Sequence, residues 1–196
     1  MNRFGAILLL ATFTLVGAAH AQTSMRVRGT ITAVEGDVLS VKSRDGKDLK
    51  LHMTEKTTVA AAKALMLSDL KKGDYVGATT QKSPDGALVA REVHTIARTV
   101  REGHGPWDLE PGAMMTNANV ATVAKVDKGH ELTLEYKDGA QKIIVPPGTP
   151  IVTTVPADRS FLKPGEYVFA PTSVDTEGKM TVLRIQVSRD GVRPPQ

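Results

Sequence analysis

The residues best suited to chemistry gather in one short stretch, from Arg101 to Asn117. It holds His104, Trp107, Met114 and Met115, and Trp107 is the only tryptophan in the chain. Thioether and imidazole groups suit Cu(I) or Ag(I), and no cysteine is present to compete for such an ion. His104, Met114 and Met115 are therefore a candidate soft-metal set. The same stretch also reads as a linker. Gly103, Gly105, Pro106, Pro111 and Gly112 are turn residues, and a lone tryptophan among them fits a ring that plugs the seam a linker crosses. Both readings stay open on the sequence.

Other side chains carry less. His52, His94 and His130 lack ligand spacing such as His-x-x-x-His and read as ordinary surface histidines. Lys42, Arg44, Lys50 and His52 alternate outward on neighbouring runs, together with Ser40. They form a basic strip that suits an anionic partner, or simply a solvated strand face. Tyr75 and Tyr167 follow Gly-Asp and Gly-Glu in matching contexts, and are expected to pack with their hydroxyls at a rim. No Gly-x-Ser-x-Gly elbow, His-Glu-x-x-His pair or phosphate loop occurs. The carboxylates sit mostly beside glycine in turns, where Asp is favoured for backbone reasons. The expectation is a protein without catalysis; a hydrolase assembled from distant residues ranks last.

The elements that must position these residues sit in an exported chain. Arg3 precedes an apolar run from Ala6 to Val16, and Ala19-His20-Ala21 fits a signal-peptidase site. The run is short for a membrane span, which needs about 20 apolar residues. The expectation is a periplasmic or secreted product with no membrane span after cleavage. The absent cysteine removes lipidation at the cleavage site, disulfides and thiolate chemistry. Without Arg3, the 25 Lys and Arg become 24 against 21 Asp and Glu, with no block of like charge. Nucleic acid is a poor partner, because single-strand binding needs aromatic platforms and only 4% of residues are aromatic.

The chain repeats itself. Leu70-Lys71-Lys72-Gly73-Asp74-Tyr75-Val76 matches Leu162-Lys163-Pro164-Gly165-Glu166-Tyr167-Val168, a shift of 92 positions. At that shift Asp85-Gly86 falls on Glu177-Gly178, and Gly29 to Val34 on Ala121 to Val126. Leu39-Ser40-Val41 matches Leu132-Thr133-Leu134 with a one-residue slip. Each copy is too long for a solenoid unit and should be a whole domain. In the first copy, Val27, Gly29, Ile31 and Ala33 alternate with polar residues, and Leu39/Val41 and Leu49/Leu51/Met53 continue the strand rhythm. Asp45-Gly46 marks a hairpin. Val59 to Met66 is rich in helix formers and predicts a short helix. Two strands follow, the second with a bulge signalled by Leu88, Ala90 and Val93. In the second copy Pro146 to Pro150 predicts a stiff loop instead.

The sequence therefore predicts a mostly β protein of two tandem five-stranded OB-fold-like barrels, each with at most a short helix between strands three and four. Another small barrel or sandwich is the alternative. The expected layout is a signal peptide over 1–21, barrels over 25–98 and 119–190, an inter-repeat segment over 99–118 and a flexible tail over 191–196. The small copies should pack on each other, since domains of about 70 residues are marginal alone.

Val27-Arg28-Gly29-Thr30-Ile31, Asp45-Gly46, Leu70 to Val76 and Asp85 to Ala90 resemble an exported bacterial family called domain of unknown function 5666. The match covers the first copy well and the second more loosely. It implies a fold and an export habit and brings no catalytic residues. The His-Trp-Met-Met set also loosely resembles periplasmic copper and silver chaperones, small OB barrels whose ligands lie within the strands. The functional expectation is a non-enzymatic binding or interaction module of the cell envelope, contacting an envelope protein, a glycan or another anionic partner. The alternative is a Cu(I) or Ag(I) binder.

Overall fold

The computed structural model describes residues 23–127 and 129–196. The expected signal peptide lies outside the described residues. The first copy supplies β1 (Thr23–Glu35), β2 (Val38–Ser43), β3 (Asp48–Ala64), β4 (Tyr75–Lys82) and β5 (Leu88–Thr95). The inter-repeat segment adds β6 (Gly103–Pro106). The second copy supplies β7 (Met114–Val126), β8 (Gly129–Tyr136), β9 (Gly139–Val145), β10 (Ile151–Ala157), β11 (Tyr167–Val174) and β12 (Met180–Val187). Short 3-10 turns at Leu67–Asp69 and Arg159–Phe161 precede β4 and β11. The molecule is mostly β and barrel-like.

The barrels do not follow the repeat boundaries. One ring runs β1–β2–β3–β12–β11 and back to β1. The other runs β7–β8–β9–β5–β4 and back to β7. Each ring has the OB-like order first, second, third, fifth, fourth, with the third and fifth strands parallel. Each takes its last two strands from the other copy. The expected barrels over 25–98 and 119–190 are thus replaced by two interleaved ones. The cores are mixed accordingly: Val27, Leu39 and Leu51 pack with Val168, Val182 and Ile185, and Leu132, Leu134 and Ile143 pack with Val76, Ala78 and Val93. Each fully buried Leu, Ile or Val contributes about 1.5–3 kcal/mol of apolar burial.

The segment expected to be helical, Val59 to Met66, is strand up to Ala64 and irregular at Leu65 and Met66. It pairs antiparallel with β10 on one side and parallel with β12 on the other. Two-sided pairing outweighs the helix preference of alanine, a few tenths of a kcal/mol per residue. Small side chains suit this position, where Ala61 and Ala62 are fully covered. The pairing is symmetric about Ala62 opposite Thr154, equivalent positions in the two copies, so the halves are related by a local two-fold. In the second copy Pro146 to Pro150 breaks the corresponding long strand into β9 and β10, as the prolines predicted. The bulge expected in β5 is present, between the Thr79–Glu92 and Thr80–Ala90 pairs.

Structural equivalence corrects the sequence alignment of the first strand. Ile31 exchanges backbone hydrogen bonds with Gly165 and Glu166, and Val120 does the same with Gly73 and Asp74. Ile31 therefore corresponds to Val120, and Gly29 to Ala118, not Ala121. The β7–β8 hairpin carries extra pairs at its tip, Lys125–His130 and Val126–Gly129, which absorb the difference. The tail is not a free end either: Pro194 and Pro195 are buried.

Candidate functional site at the seam between the barrels

Strand alternation gives each barrel an inner and an outer face. On the second barrel Val76, Ala78, Val93 and Ala118 point inward. The intervening positions, Gly77, Thr79, Glu92, His94, Met115 and Asn117, point outward and are in register: Gly77 pairs with His94 and Asn117, Thr79 with Glu92 and Met115. On the first barrel the matching outward positions are Arg28, Phe169 and Gln186. These two outer faces meet at the seam, so residues that look solvated in the sequence are covered. Glu92 and His94 are each 7% exposed, and the Arg28 side chain 2%.

The inter-repeat segment straps the seam. At one end β6 pairs with β7 on the second barrel. At the other, Asp108 accepts from Arg28 (2.8 Å) and Arg26 (3.2 Å) of the first barrel. Arg44 donates to the Asp108 and Leu109 carbonyls, and Arg91 pairs with Glu110 at 2.7 Å. Burial alone raises the Asp108 carboxyl, but the Arg28 hydrogen bond and charge, with Arg26 behind them, hold it below the usual carboxylate range. Arg26 lies 4.4 Å from the centroid of the Trp107 ring, a cation–π contact. The tail completes the cover. Gln196 N–H donates to Glu92 Oε1 (2.8 Å), and Trp107 Nε1–H donates to the Gln196 main-chain oxygen (2.9 Å).

A cavity of about 210 Å³ remains beside this cover, lined by His94, Trp107, Met115, Phe169, Gln186 and Gln196 among others. Its polar groups are incompletely matched. Gln186 Oε1 is buried with no partner among the described residues. His94 Nδ1 lies 3.4 Å from Glu92 Oε1, within ion-pair reach, but has no aligned hydrogen-bond partner among them. An unmade hydrogen bond on a buried polar atom costs about 1–3 kcal/mol, so these two atoms are points of local instability at the seam. The other ring nitrogen, Nε2, lies over Gly77: a Cβ there would come within 2.5 Å of it.

The comparisons with known proteins add no identity. No family model matches the chain, and neither the curated proteins nor the solved structures contain a match.

The expected site residues fall in three places. Lys42, Lys50 and His52 do share the outer side of β2 and β3, where Lys42 pairs with Asp48 (3.1 Å). Arg44 leaves that strip and holds the strap. Tyr75 and Tyr167 are equivalent, and each meets the segment that follows its copy of the repeat. Tyr75 donates to the Val100 carbonyl (2.9 Å), burial raising its phenol, and Arg193 stacks on Tyr167 at 4.7 Å. The soft-metal set is brought together only in part: His104 and Met115 line one pocket with Trp107, and Met114 does not. Met114 and Met115 are successive residues of one strand, so their side chains leave opposite faces. His104 Nδ1 instead contacts Thr116 Oγ1 at 2.9 Å, and burial lowers its pKa. Among the described residues no group of three His, Asp or Glu could hold a metal ion. Of that set only Met115 lines the seam cavity, together with the partly buried Trp107.

Glu92, His94, Arg28 and Gln186 were missed. His94, expected on the surface, is buried. The outward polar positions of a strand read as solvated unless a second barrel covers them, and nothing local announces that cover. One signal existed: His94 aligns with Gln186 at the 92-residue shift, so polar residues of hydrogen-bonding type recur at one outward position of both copies.

Proposed function

We propose that this protein is an exported, non-enzymatic binding module that holds its ligand at the seam between the two barrels. The observation that carries the reading is the cavity itself, walled by Trp107 and Phe169 and lined by polar side chains that include His94, Asn117 and Gln186. Binding sites commonly combine an apolar wall with a few convergent polar groups between two packed units. The occupant would join an apolar part that meets Trp107 and Phe169 to polar groups that meet Asn117, Thr154 and Arg184, as an extended peptide, an amide or a polyol does. Export is supported by Arg3, the apolar run and Ala19-His20-Ala21, and agrees with the resemblance to the exported family of unknown function. Among the described residues no helix is long and apolar enough to cross a membrane.

The test uses Trp107 as the only indole fluorophore. Donor-bearing solutes are titrated while emission and melting temperature are followed. At about ten times its Kd a seam ligand should raise the melting temperature by about 3 °C. Gln186→Leu and Gly77→Ala, which displaces His94, should abolish the shift. A panel of amides, polyols and peptides that leaves both signals unmoved would overturn the reading. Fractionation of cells expressing the full chain tests export.

A further inference from the structure

The seam already contains a ligand-like segment, the chain's own last residues. Four consecutive side chains and their backbone are held by different chemistries. The Arg193 guanidinium lies over the Tyr167 ring, 4.7 Å from its centroid. Pro194 and Pro195 are both buried. The Gln196 N–H goes to Glu92 Oε1, and its main-chain oxygen accepts from Trp107 Nε1. The Gln196 side chain turns back to donate to the Pro194 carbonyl at 2.6 Å. Buried prolines with an indole N–H on a main-chain oxygen are the elements of polyproline recognition, where fixed φ lowers the entropy lost on docking.

The docking is also incomplete. The cavity beside Pro195 and Gln196 stays open. In a bound segment, the residue after the position of Gln196 would enter it and meet a lining that includes His94, Phe169 and Gln186.

We infer that the seam is a receptor for an extended Arg-Pro-Pro segment of a partner polypeptide, occupied here in cis by Arg193 to Gln196, which acts as an internal competitor. This rests on the seam being the binding site and names its ligand. Tyr167 takes the arginine and Glu92 and Trp107 take the backbone after the second proline. The open cavity takes the next residue. Tethering gives the tail a high effective concentration, so a partner must gain from that extra residue to displace it.

The experiment compares the full chain with a chain ending at Val192, which frees Tyr167 as well, using the peptide acetyl-Val-Arg-Pro-Pro-Gln-Ser-amide. Removal of residues 193–196 should change Trp107 emission. The peptide should bind the shortened chain about tenfold more tightly than the full chain and restore the emission. Replacing both peptide prolines with alanine, or Glu92→Gln in the shortened chain, should weaken binding. Circular dichroism melts establish that the shortened chain is folded; if it is not, full-length Pro194→Ala with Pro195→Ala, which loosens the tail, takes its place. A folded chain that ignores the peptide overturns the inference. If an amide or polyol still stabilises that chain through Gln186, the seam remains a binding site and only the proline reading falls; if none does, both fall. Concentration-dependent dimerisation of the full chain that is lost on removing residues 193–196 would replace the partner with a second copy of the same tail.

Discussion

The two barrels share one strand order yet present different chemistry at equivalent outward positions. On the first barrel Phe169 fills the place between Arg28 and Gln186, with the Arg28 guanidinium 5.0 Å from the Phe169 ring centroid. On the second the corresponding residue is Gly77, and the His94 ring lies over it between Asn117 and Glu92. One face is closed by an aromatic ring, and the other has a polar, partly unmatched surface. The difference teaches that duplication supplied two copies of a scaffold whose cores stayed alike, while the faces that meet at the seam diverged. The β3 strand shows the same contrast, continuous in the first copy and split by the Pro146–Pro150 loop in the second.

Four measurements would break or sharpen this comparison. The largest effect is expected in the cores. Leu39→Ala in one barrel and Leu132→Ala in the other, equivalent and fully buried, should each cost about 3 kcal/mol in denaturant unfolding. Because each barrel borrows two strands from the other copy, both variants should melt in one transition that coincides by circular dichroism and Trp107 emission. Two separate transitions would show that the barrels are independent.

The next test sits at the corrected alignment. A Cβ at Gly29 would approach the Lys42 carbonyl oxygen to 2.3 Å, a backbone clash that no rotamer relieves. Gly29→Ala should cost about 3 kcal/mol, the upper part of the overpacking range. Its true counterpart Ala118 already carries a Cβ, and Ala118→Gly should cost about 1 kcal/mol. Equal losses in chemical denaturation would mean the equivalence is wrong.

Third, Asp108→Asn removes the charge that pairs the buried Arg28. Asp108 is half exposed, so the loss is discounted to about 1–2 kcal/mol. Since the folded-state pKa of Asp108 lies below its unfolded value, its contribution is present above about pH 4 and fades as the pH falls through the folded value. Melts from pH 6 to about pH 2 should therefore converge for wild type and variant at the acid end.

The smallest effect belongs to His104. Burial depresses its pKa, so the folded state resists protonation while the unfolded chain takes up a proton below about pH 6.5. Stability should be full above that value and decline as the pH falls through the lowered one. His104→Gln should flatten this slope by a few tenths of a kcal/mol, about what a half-buried histidine contributes. An unchanged slope would place the titration elsewhere.

Much of the architecture was legible in the residues. Alternating apolar positions such as Leu39/Val41 and Leu49/Leu51/Met53, the Asp45-Gly46 turn and the repeated Gly-Asp-Tyr-Val and Gly-Glu-Tyr-Val blocks specify strands, turns and duplication, because period-two burial and positive-φ glycines are local properties. The helix expected from Val59 to Met66 failed because propensity is weak beside pairing on both edges of a strand.

What the sequence by itself determined, then, is the set of strands, their core faces and the presence of two copies. Only the tertiary structure decided which copy completes which barrel. Both copies offer chemically similar fourth and fifth strands, so local pattern cannot choose between self-closure and exchange. That choice brings Glu92, His94, Arg28 and Gln186 under a common cover, and turns outward strand positions that would otherwise face water into the site.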